Sequence, residues 1–127
     1  MLILIPLITQ TAFNVSIQSS VFVTLMENTM DNRGWDPDKK NQYALLAMVG
    51  LGVGEILGAI VFGRIGDKLS MRVLIATNMF SAVVAFSMTL WYVTKFKFSL
   101  AMAISMTVFW GFSDGGLNTF MNCILGF

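Results

Sequence analysis

The sequence predicts an all-α integral membrane protein with four transmembrane helices in a single region, residues 1–127. Three observations carry this expectation. Of the 127 residues, 56% are hydrophobic and only 12% are charged, where a soluble domain carries about 25% charge. Thirteen of the fifteen charges fall in three short stretches, 27–41, 64–72 and 95–97. The runs between them, about 1–26, 42–63, 73–94 and 98–127, each exceed the ~20 mainly apolar residues that cross a hydrocarbon layer. Only Glu55 and Asp114 are charged inside these runs. Helices of a soluble bundle would show polar outer faces, which 42–63 and 73–94 lack.

Each element follows in order. Run 1–26 is no signal peptide, because no basic segment precedes it and polar residues interrupt its second half. Pro6 is expected to bend it. Residues 27–41 hold Arg33-Gly34 and Asp36-Pro37, both turn signals, in a polar connection between antiparallel spans. Residues 95–97, Lys-Phe-Lys, leave room only for a tight turn. No short-period repeat links the four runs. Lys and Arg number five in 27–41 and 95–97 together and three in 64–72, so the positive-inside count makes the first two stretches cytoplasmic.

Composition also excludes chemistry. Net charge is +1, which gives no basic field for nucleic acid. There is no His and a single Cys, Cys123, which rules out His-dependent triads, Cys-rich metal sites and internal disulfides. No cofactor, no metal site and no enzyme activity are expected.

Residues 63–72 resemble the signature loop of the major facilitator superfamily through Gly63, Ile65, Gly66, Asp67, Lys68 and Arg72, with Ser70 and Met71 departing from the pattern. In such a loop Asp67 would cap the next span and favour its dipole. Gly52-Val53-Gly54-Glu55-Ile56-Leu57-Gly58 and Trp110-Gly111-Phe112-Ser113-Asp114-Gly115-Gly116-Leu117-Asn118-Thr119, continuing to Ile124-Leu125-Gly126-Phe127, look like the Unc-ninety-three-like branch of that superfamily. The resemblance covers the whole chain and implies helices seven to ten of a twelve-helix bundle. Where the family tends to carry a glutamine, this chain has Phe120. The resemblance also implies that the signature loop is cytoplasmic, against the residue count, and the family orientation is adopted here.

Polar residues inside the runs are candidates for function. Gln10, Asn14 and Gln18 share one face of the first run, and Asp114, Asn118 and Asn122 share one face of the fourth, each step drifting ~40° around a helix. Such groups should point into the bundle. They would line a solute path or serve as interhelical glue at about 0.6 kcal/mol per bond, and glue is preferred. Gly50, Gly54 and Gly58 form a small face that lets another backbone approach. Glu55 lies ~12 Å from the 64–72 surface, so it is protonated, paired or wet. Asp114 is expected in a charge cluster with Arg64, Arg72 or Asp67.

Four helices of one half cannot rock about a central site by themselves. The favoured expectation is an accessory or scaffold subunit within a larger membrane assembly, with lipid and other transmembrane helices as partners. The alternative is the half-site of a proton- or ion-coupled secondary transporter, with Glu55 and Asp114 as coupling groups.

Overall fold

The computed structural model describes residues 4–16, 20, 22–31, 34, 36–66, 68, 70–95 and 99–125. They form five helices: α1 (Leu4–Ser16), α2 (Val23–Asp31), α3 (Pro37–Gly66), α4 (Met71–Lys95) and α5 (Leu100–Leu125). The described residues of the first run fall in α1 and α2, with residues 20 and 22 between them also helical. Helix α2 also continues past residue 26, because Thr29 and Met30 are buried and the Thr29 hydroxyl meets the Tyr92 hydroxyl of α4 at 2.9 Å. Pro6 falls in the first turn of α1, where its missing N–H breaks no helical bond, so no bend is needed.

Local chemistry fixes the longer helices. Pro37 opens α3 with its φ already helical, and Lys40 N–H donates to the Asp36 carbonyl at 3.1 Å. Asp38 in the first turn and Arg64 in the last both favour the helix dipole. Helix α3 starts five residues before the apolar run does, and these added residues are mostly exposed. Gly34, with φ of 62°, makes the turn that the 27–41 stretch requires. At the other end of the bundle, Ser70 and not Asp67 directly precedes α4, its carbonyl accepting from Val73 and Leu74. Asp67 lies outside the described residues.

Helix α5 organises the bundle. Helix α3 packs along it in parallel, Gly50 beside Ile104 and Thr107, and Phe62 beside Gly116. Helix α4 runs antiparallel to it, with Leu74 near Phe120 and Phe86 near Trp110. Helices α1 and α2 cover a further side, where Phe22 meets Trp110 edge-on.

The surface is inverted relative to a soluble protein. The buried residues of α3 are Ala47, Gly50, Gly54, Gly58 and Phe62, whereas Leu45, Val49, Val53, Ile56 and Ile60 are exposed. Exposed apolar rows of that extent mark a lipid- or partner-facing surface. Two helices, Pro37–Gly66 and Arg72–Lys95, are long and apolar enough to cross a membrane. This corrects the expectation of four spans. Helices α1 and α2 have 13 and 9 residues, short of the ~20 needed. In α5 the polar residues Ser113, Asp114, Asn118, Thr119 and Asn122 dilute the hydropathy of a helix otherwise long enough.

Candidate functional site

The closest contact in the molecule is the seam between α3 and α5. Gly50, Gly54 and Gly58 are buried on α3, facing Thr107, Gly111 and Gly115 one turn apart on α5. A Cβ on Gly54 would run into the Val108 carbonyl and stand 2.9 Å from Phe112 N. In return, a Cβ on Gly111 would meet the Leu51 carbonyl and stand 2.9 Å from Glu55 N. Gly115 faces the Glu55 carbonyl in the same way. The two backbones are thus in contact, and both helices need the absent side chains. Gly115 and Gly116 both lie within the continuous helix α5. They admit neighbours, Gly116 making room for the Phe62 ring and the Asn78 amide.

Beside the seam lies a buried polar group. Asp114 is 5% exposed and Asn14 of α1 is 1% exposed. Asn118 Nδ2 donates to Asp114 Oδ2 at a long 3.5 Å. Asn14 Nδ2 and Asp114 Oδ1 are both buried without a hydrogen-bond partner. Glu55, on the flank of α3, has its backbone against Gly111 and Gly115 of α5, on either side of Asp114 in the chain. Two further buried atoms lack partners, Ser113 Oγ and Asn78 Oδ1. Consecutive residues diverge by ~100° around a helix, so Ser113 and Asp114 serve different neighbours of α5. Buried polar atoms are normally bonded to protein or water, and four unbonded ones on three helices set this region apart.

Several expected site residues are placed differently. Asn118 and Asn122 are exposed, so the stripe they form with Asp114 does not point wholly inward: an i, i+4 row drifts around the helix and leaves the contact. Of the other amide stripe, Asn14 reaches the bundle, the Gln10 side chain is outside the description, and Gln18 lies outside the described residues. The expected charge cluster is absent among the described residues. Arg64 and Arg72 are exposed, each at a helix end where its charge stays in the polar layer. In the loop, Lys68 N–H closes a turn on the Ile65 carbonyl at 3.0 Å, and Ile65 packs against Phe62, Leu74 and Phe120. Gly63 has nothing within 4 Å of a Cβ, and Gly66 ends α3 near Leu74. Phe120 is 2% exposed and belongs to this cluster.

Sequence reasoning missed the hydroxyl and indole bonds that join α4 to its neighbours. Trp110 Nε1 donates to Thr89 Oγ1 at 2.9 Å. Phe86 lies 4.8 Å from the Trp110 ring, near edge-on, and stacks on Phe13 of α1 at 6.2 Å. Asn78 was legible as a lone amide in an apolar run, whereas Thr89 and Ser113 gave no comparable signal. Between α1 and α5, a groove of about 350 Å³ is lined by Thr11, Ala12, Asn118 and Met121. It runs beside Asn14 and Asp114, one turn away on each helix.

A family model described as "Ion channel regulatory protein UNC-93" matches residues 1–127. No curated protein and no solved structure matches the chain.

Proposed function

This chain belongs to the UNC-93 family, and on that premise we propose that it is a membrane-embedded regulatory subunit that acts by direct helix contact on another membrane protein, an ion channel in the family's description. The observation that carries the proposal is the family match across residues 1–127. The seam supports it: α3 and α5 are locked backbone to backbone, while the outer face of α3 and much of α4 remain apolar and exposed. Lateral contact with other transmembrane helices suits such faces. In this reading the chain corresponds to part of a major-facilitator-like bundle, with α3 and α4 as its two spans. Residues 64–72 share one side of the membrane, and 27–41 faces the other. Of the signature loop residues, Gly63, Ile65, Gly66, Lys68 and Arg72 serve a short connection between α3 and α4 and not a binding site.

The test is gentle solubilisation of the full chain from its own membrane, followed by native mass measurement. A stoichiometric membrane partner is expected, released by bulky substitution on the exposed face of α3. A second reading, the half-site of an ion-coupled transporter, is favoured by the buried, unbonded atoms of Asn14 and Asp114. Solute uptake into proteoliposomes that requires Glu55 would place that reading first.

A further inference from the structure

The two intramembrane acids have no countercharge in their own layer. Runs 42–63, 73–94 and 98–127 contain no Lys or Arg, and the nearest arginines along the chain, Arg64 and Arg72, are exposed at helix ends. Glu55 nevertheless lies at the α3–α5 seam, its backbone carbonyl facing Gly115, the residue next to Asp114. Acids at this depth pair, face water or bind ions, because an unpaired charge in hydrocarbon is costly. Asp114 Oδ1 is buried without a bond, and Asn14 of α1, 1% exposed, likewise keeps its Nδ2 unbonded.

We propose that Asp114, Glu55, Asn14 and Asn118 form a binding site for a monovalent alkali cation at the junction of α1, α3 and α5. A hard cation takes oxygen ligands. Asp114 Oδ1 is one, a Glu55 carboxylate oxygen is the second, and the Asn14 amide supplies another, as does Asn118 once its nitrogen, now facing Asp114 Oδ2, is turned away. Turning the Asn14 amide over exchanges its nitrogen for its oxygen, since the two ends have nearly the same shape. No group of three or more His, Cys, Asp or Glu that could hold a metal occurs among the described residues. The donor set is therefore too sparse for a tightly held divalent ion, which wants more oxygens or stricter geometry. The groove between α1 and α5 is lined by Asn118, one of the site's residues, together with Thr11, Ala12 and Met121. This site stands apart from the regulatory proposal, and either can fail without the other.

The test is thermal unfolding of the full chain in lipid nanodiscs at fixed pH, titrated with NaCl, KCl or N-methylglucamine chloride. Anything that binds the folded state alone raises the midpoint in a saturable way. Sodium or potassium should do so, and N-methylglucamine should not. Asp114→Asn should abolish the response and leave the cation-free midpoint at or above that of the unsubstituted chain, because no arginine loses a partner. Glu55→Gln should fold and raise the half-saturating cation concentration by roughly tenfold, equivalent to 1.4 kcal/mol. If Asp114→Asn does not fold, Glu55→Gln decides alone, and an unchanged half-saturation overturns the site. Equal responses to all three salts would mean charge screening only and would reject it. So would a response confined to calcium or magnesium, or a midpoint that moves with pH but with neither alkali cation.

Discussion

Toward α3, helix α5 presents Thr107, Gly111 and Gly115 to a matching row of glycines. Toward α1, α2 and α4 it presents Trp110, Ser113 and Asp114 to rings, hydroxyls and amides. Lipid tails are as apolar as leucine, so helices in a bilayer gain nothing by merely hiding hydrophobic surface from water. They associate through close van der Waals contact or through polar bonds. The seam uses the first means almost alone, with Gly54, Gly58, Gly111 and Gly115 each set against the opposite backbone. The other side of α5 uses the second and leaves it incomplete, since Asn14, Asn78, Ser113 and Asp114 each keep a buried atom unbonded. A completed contact serves as scaffold. An incomplete one leaves chemistry open for an ion, water or a partner.

The largest effect should come from breaking the seam. Gly54→Leu places a branched side chain where even a Cβ meets backbone, and backbone cannot swing aside as a side chain can. Overpacking typically costs about 1–3 kcal/mol, and this change belongs at or beyond the top of that range. Leu57→Phe, on an exposed position three residues away, should shift the midpoint little. Unfolding midpoints in detergent or nanodiscs check the pair. Equal, small shifts would mean that α3 and α5 do not pack through their glycines.

A smaller loss is expected across α5. Thr89→Val keeps shape but leaves the buried Trp110 indole N–H without its acceptor, and an orphaned donor costs about 1–3 kcal/mol. Thr89→Ser should recover most of the loss, and a double-mutant cycle with Trp110→Phe should give a coupling near the ~0.6–1.7 kcal/mol measured between membrane helices. Loss in Thr89→Val with no coupling in the cycle would assign the effect to packing instead.

The same contrast explains what the sequence made legible. Gly50, Gly54 and Gly58 could be read because their spacing is local, one turn of one helix, and because only size matters there. The partner row needed the fold, since Gly111 and Gly115 pair with α3 only once two distant segments lie parallel. The intramembrane acids were visible as lone charges in apolar runs, but their neighbours were not. Hydropathy says that Asp114 is buried and nothing about which helix answers it, so an arginine cluster was expected where the structure leaves Asp114 Oδ1 unbonded. The four expected spans failed for a related reason. A hydropathy run counts residues and ignores the polar block that α5 carries for its neighbours.

The smallest effect separates glycines that the bundle needs from those it does not. Gly52 and Gly63 share α3 with the seam glycines, yet a Cβ at either position meets nothing within 4 Å. Each costs the helix about 0.8–1.0 kcal/mol relative to alanine in an exposed interior position, and neither has a positive φ to justify it. Gly52→Ala and Gly63→Ala should therefore leave the midpoint unchanged or raise it slightly, where Gly54→Ala lowers it by clashing with Val108. Gly63 lies near the end of α3, where fraying weakens the benefit, so Gly52 should gain more. If the isolated chain tolerates both changes while its membrane partner no longer copurifies with the Gly52 variant, that glycine is the landing place of a second backbone. A fall in the midpoint of the isolated chain would instead mean that another part of this same chain already occupies the space.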